Sequence, residues 1–155
     1  MPNKRTILLV DGDPRDRAAI RRTLEQRRYR VIEAADFWEA LDAHREHQGE
    51  IDLLLTALAL PGDNGYELAR TLFRSDPRLK ALFVSGRAGA EVSPYYHMPM
   101  TGSHMVIKPM RGTELLDRVR EVFQVRVRRS QKAAASAPNR QRPLQSESKL
   151  QSESK

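Results

Sequence analysis

Along residues 1–125, short apolar runs alternate with stretches whose apolar positions recur at helical spacing. The segment Arg5 to Asp11 centres on Ile7-Leu8-Leu9-Val10, continuous as expected of a strand buried on both faces. Asp13-Pro14 then supplies a helix cap and a proline at the first helical position, where its missing N–H has no intrahelical partner to lose. Ile20 and Leu24 stand four apart on the helix that follows, whose other face is dense in arginine. Tyr29 to Ala34 predicts a second strand. Phe37, Ala40, Leu41 and His44 mark one face of a second helix, with Phe37 and Trp38 expected in the core or half-buried.

A third strand is predicted over 51–56, running through Thr56 and Ala57 into Leu60-Pro61-Gly62. Leu68/Leu72 and Ala69/Phe73 pair on a third helix, and Lys80-Ala81-Leu82-Phe83-Val84-Ser85 is a fourth strand. Met105-Val106-Ile107 reads as a short fifth strand, followed by a helix with Leu115, Val119 and Val122 as its stripe and Leu116 and Phe123 beside it. Gly86 to His104 breaks the rhythm: Gly86, Gly89, Pro94, Pro99 and Gly102 leave either a short, distorted helix near 89–97 or an ordered loop. Strands alternating with helices predict an α/β, doubly wound domain: a parallel sheet with helices on both faces.

Such a sheet gathers its chemistry at the carboxyl ends of the strands. Asp11 and Asp13 fall there after strand one, Ser85 after strand four and Lys108 after strand five. Ala57 occupies the corresponding end of strand three. Taken in order, Leu8-Leu9-Val10-Asp11-Gly12-Asp13-Pro14, the strand-three frame ending Leu60-Pro61-Gly62, Phe83-Val84-Ser85-Gly86 and Ile107-Lys108-Pro109 resemble the receiver domain of two-component response regulators over residues 4–124.

That resemblance implies a flavodoxin-like sheet of order 2-1-3-4-5. It also implies a strand-three aspartate that accepts a phosphoryl group from a histidine kinase, with Mg²⁺ held by acids after strand one. A strand-four Ser/Thr and a strand-five Lys would grip the phosphoryl group; Ser85 and Lys108 match these roles, and Asp11 matches the first acid. The pattern departs from the family at three positions. Ala57 stands where the phosphoacceptor aspartate would be, Gly12 at the second acidic position, and Met105 at a switch position that commonly carries an aromatic ring. Mg²⁺ prefers hard oxygen ligands, so binding is expected to be weak or absent, with Asp11 and Asp13 as a remnant site; no other cofactor is expected. Thr56 cannot substitute for an acid at 57, because adjacent strand residues face opposite sides.

Bland roles stand beside these. Lys108 either pairs with Asp11 or binds an anionic ligand, Asp13 caps the first helix, and Lys108-Pro109 matches a bond that is usually cis in the family. Tyr95 and Tyr96, with Met98 and Met100, suit a partner contact or a loop packing on itself. With Met105 and Arg111 they are the candidate partner-binding residues, on the face formed by the 86–104 segment, strand five and the last helix. His44, His47, His97 and His104 show no metal-ligand spacing.

Composition narrows the rest. The chain has no cysteine, which excludes disulfides and thiolate chemistry. It has no secretory leader pattern and no apolar run near the roughly 20 residues that span a bilayer, so a cytoplasmic protein is expected. All but one unit of the formal charge of +7 lies in a tail: residues 1–125 hold 19 Lys/Arg and 18 Asp/Glu, whereas 126–143 hold six Lys/Arg and no acid. Residues 126–155, with Gln-Ser-Glu-Ser-Lys repeated at 145–149 and 151–155, read as a disordered extension. The leading expectation is a non-enzymatic, stand-alone pseudo-receiver that binds a histidine kinase, another regulator or a second copy of itself without phosphorylation. A nucleic-acid-associated protein using the tail non-specifically, and a still phosphorylatable regulator, are the alternatives.

Overall fold

The computed structural model describes residues 4–86 and 105–124. The expectations for residues 87–104, including Tyr95 and Tyr96, and for the tail lie outside them. The elements run β1 (Thr6–Val10), α1 (Pro14–Glu25), β2 (Arg30–Ala34), α2 (Phe37–Glu46), β3 (Leu53–Ala57), α3 (Gly65–Ser75), β4 (Lys80–Ser85), β5 (Met105–Ile107) and α4 (Gly112–Gln124). All strand pairs are parallel, in the order β2-β1-β3-β4-β5.

Strand sequence follows sheet position. β1 and β3 have neighbours on both edges and helices on both faces, and every residue in each is buried. β2, at an edge, admits Arg30 and Glu33 and is buried fully only at Ala34. Side-chain alternation divides the apolar residues into two cores. Leu8, Val10, Leu54 and Phe83 pack with Phe37 and Ala40 of α2 and with Leu68, Ala69 and Leu72 of α3. Ile7, Leu9, Leu53, Leu55, Leu82 and Val84 pack with Ile20 and Leu24 of α1 and with Leu115, Val119 and Val122 of α4. A leucine fully buried in this way contributes roughly 1.5–3 kcal/mol by removal from water.

Each of the first three helices starts on a side-chain cap. Asp13 accepts from the N–H groups of Arg15 (2.8 Å) and Asp16 (3.4 Å), Asp36 from Glu39 (2.8 Å) and Asn64 from Glu67 (2.8 Å). Asp13→Ala is therefore expected to lower stability by about 1 kcal/mol, read as an earlier urea midpoint at unchanged slope. An unchanged midpoint would remove the capping role.

Two sequence expectations need correction. β3 begins at Leu53 rather than Ile51, because the Asp52 carboxylate accepts the Thr6 N–H at 2.8 Å and the Asp52 N–H donates to the Thr6 carbonyl. Ile51 is nevertheless buried. Trp38 is 61% exposed, neither core nor half-buried. Adjacent helical residues point about 100° apart, so α2 can seat Phe37 in the core only by turning Trp38 outward. The two rings meet edge to face at 4.9 Å, and the indole also lies over Gly62, whose φ of +97° a side chain would strain.

Candidate functional site

The carboxyl ends of β1, β3, β4 and β5 bring Asp11, Ala57, Ser85 and Lys108 to one end of the sheet. Asp11 directly follows β1 and is buried, at 4% exposure. One of its oxygens accepts the Asp13 N–H at 2.9 Å, holding the turn between β1 and α1 closed. The other accepts from Lys108 Nζ at 3.1 Å. Arg17 braces the same turn, donating to the Asp11 carbonyl at 2.7 Å and to Glu33 at 3.1 Å.

Lys108 reaches this end because its backbone N–H donates to the Ser85 carbonyl at 2.9 Å, extending the β4–β5 ladder by one bond, and the following bond to Pro109 is cis. Its ammonium also donates to Asp16 at 2.6 Å. Burial works against the charge on Lys108, and the hydrogen bonds with Asp16 and then Asp11 outweigh it, so its pKa lies above the ordinary lysine value.

Asp16 is the residue that sequence reasoning missed. Its signal was its place in the first turn of α1, three residues after the cap, but the contact it makes spans 92 positions. Asp13, by contrast, is exposed and directs its carboxylate to the α1 N–H groups.

No acid stands on β3. Ala57 closes the strand and is buried, while the nearest carboxylate in sequence, Asp52, is tied to Thr6 at the strand's other end. At about 3.3 Å per residue that is roughly 16 Å away. Thr56 is completely buried and donates its hydroxyl to the Ala57 carbonyl at 2.9 Å, with its methyl directed towards Gly65 of α3. Gly12 is exposed, and a Cβ there would sit 3.0 Å from the Pro61 ring. Ser85 is fully buried.

Met105 opens β5 opposite Phe83 and packs half-buried against the α2/α3 core, as an unbranched side chain filling a gap does. Arg111 is exposed just ahead of α4, its carbonyl accepting the Leu115 N–H at 3.1 Å. No group of three or more His, Asp or Glu with metal-binding geometry occurs among the described residues.

A family model for the response regulator receiver domain matches residues 7–120. The chain belongs to that family. It is 30% identical over 118 residues to the response regulator receiver protein CpdR of Brucella abortus, covering 76% of this chain and 95% of CpdR. It is 39% identical over 83 residues to the sensor kinase CckA of Brucella abortus, covering 54% of this chain but 9% of that kinase. With the transcriptional regulatory protein AfsQ1 of Streptomyces coelicolor the match covers 56% of the relative. The chain therefore spans only part of these two relatives. Among solved structures, the receiver domain of HemR from Leptospira biflexa superposes with a TM-score of 0.67 at 30% identity, covering 79% of this chain and 96% of that one. The fold is the flavodoxin-like receiver fold, and receiver domains serve two-component signalling through histidine kinases and other regulators. No described helix is long and apolar enough to cross a membrane.

Proposed function

We propose that this receiver domain acts as a phosphorylation-independent interaction module, a pseudo-receiver, in bacterial two-component signalling. One observation carries the reading. Where the family resemblance calls for a β3 aspartate, the chain has Ala57, and the lysine expected to grip a phosphoryl group is held by two carboxylates of its own chain, Asp11 and Asp16. Position 57 offers no nucleophile. Asp11 is the carboxylate best placed for a metal, and it is occupied by Lys108 and the Asp13 N–H. Gly12 contributes no ligand. On this reading the domain catalyses no phosphotransfer, needs no Mg²⁺, and works by presenting a fixed surface to a kinase, another regulator or a second copy. Residues 1–125 would form the module and 126–155 a basic extension.

Amide NMR titration with Mg²⁺ and beryllofluoride, a mimic of an aspartyl phosphate, tests this. The expected result is no saturable shift at residues 11–13, 57, 85 and 108. Saturable shifts that spread into β5 and α4 would mean that a surrogate acceptor operates, and the reading would fall.

A further inference from the structure

At the sheet's other end, where the strands begin, basic side chains gather around a small aromatic stack. Tyr29 and Phe123 stack with ring centres 5.7 Å apart, and the Arg5 guanidinium lies 4.6 Å above the Phe123 ring. The Arg30 N–H donates to the Arg5 carbonyl at 2.9 Å, so the turn Arg27-Arg28-Tyr29 is fastened beside Arg5. Lys80, at the start of β4, donates to the last carbonyls of α4 at Val122 (3.3 Å) and Phe123 (3.0 Å). Lys4, Arg27 and Arg28 are exposed and make no ion pair among the described residues.

Two features set this cluster apart from an ordinary solvated face. Arg28 holds φ = +67°, the left-handed position after a helix that glycine or asparagine usually fills. Arginine thus occupies a position where its backbone is disfavoured, and its side chain is exposed. Arg5 and Lys80 also lie close together: the Lys80 pKa is lowered by burial first and by the Arg5 charge second, against the opposing charge of Asp52.

We propose that Lys4, Arg5, Arg27 and Arg28 form a docking surface for the phosphate backbone of nucleic acid, remote from Lys108 and independent of whether that site accepts a phosphoryl group. Arginine guanidiniums match phosphate oxygens in bidentate geometry. A protein partner would instead bury a fully exposed apolar anchor at the centre of the patch, whereas Tyr29 and Phe123 are only partly exposed, stacked on each other, and Phe123 is covered by Arg5. The large exposed apolar side chains among the described residues, Trp38 and Ile107, lie near the start of α2 and the end of β5, at the opposite end of the sheet. Membrane insertion lacks an apolar wedge for the same reason.

The test is fluorescence anisotropy of a labelled mixed-sequence DNA duplex of about 20 base pairs, titrated with the full chain between about 50 and 200 mM salt. The expected result is salt-sensitive binding that weakens about tenfold in R27Q/R28Q, with the slope of log affinity against log salt reduced by about 1–2. Because both side chains are exposed, this variant is expected to melt with the parent. R28G separates binding from folding: it relieves the left-handed backbone, so it should melt no lower than the parent yet bind the duplex more weakly. Absence of duplex binding by the parent, or R27Q/R28Q with the parent's affinity and slope, would overturn the proposal. So would tighter binding to phosphatidylserine vesicles or to poly-glutamate than to the duplex.

Discussion

Gly65→Ala is expected to be the most damaging single-methyl change in the domain, lowering stability by about 3 kcal/mol or more. Gly65 opens α3 directly beneath the end of β3, where its N–H donates to the Leu58 carbonyl at 2.8 Å. A Cβ built there falls 2.1 Å from the Ala57 carbonyl oxygen and 3.1 Å from Thr56 Cγ2. Neither neighbour can yield cheaply. The Ala57 oxygen belongs to a strand paired on both sides, and the next N–H, of Leu58, is bonded to Val84 at 3.0 Å. Either α3 lifts from its core or β3 bends, and each loses contacts of Leu68, Ala69 and Leu72. Against a typical total of roughly 5–15 kcal/mol, that loss is a large fraction of the domain's stability. Urea denaturation beside Gly112→Ala checks this: the added Cβ there would meet only the Thr23 side chain, at 3.3 Å, and a small effect is expected. Equal midpoints for the two variants would refute the account.

Lys108→Met is expected to cost about 2 kcal/mol near neutral pH. The substitution leaves the buried Asp11 carboxylate with the Asp13 N–H alone, in surroundings too dry to replace the lost ammonium. The Asp16 contact adds less, since that carboxylate is half-open to solvent and its pair is screened. The pH dependence follows from the raised pKa of Lys108. A cation stabilised by folding contributes fully below its unfolded pKa, near 10.4, and the contribution disappears as pH rises through the higher folded value. The stability gap between parent and Lys108→Met should therefore be flat from neutral pH to about 10 and close above it. A gap that widened with alkalinity would contradict the assigned pairing.

Two strands have the bounds that sequence assigned them, one inside the sheet and one at its edge. β4 spans Lys80–Ser85 as its apolar run indicates, and β5 spans Met105–Ile107. Where side chains competed for backbone groups, the boundary moved, as at Asp52, whose carboxylate takes the place of a ladder partner for Thr6. Trp38 shows the limit of composition: a large ring next to a core residue looks internal, yet helical geometry turns it to solvent. At the candidate site, the Lys108–Asp11 pair was legible because the carboxyl ends of β1 and β5 meet there. Asp16 was not, because nothing local distinguishes an exposed acid in a first helical turn from one that reaches across to another strand. The meeting of Arg5 and Tyr29 at Phe123 was equally silent in sequence, since it joins three segments far apart in the chain.

Trp38 has one more property. It is the chain's single tryptophan, and its indole rests on Gly62, in the turn that also sets Pro61 against Gly12 and returns the Pro61 carbonyl to the Phe37 N–H at 3.2 Å. The domain thus carries an intrinsic fluorophore at the rim of its Asp11–Lys108 end, mostly in water with one edge on the turn. Its emission colour and its quenching by iodide will report any event that shifts that turn, in the unlabelled native protein and at micromolar concentration.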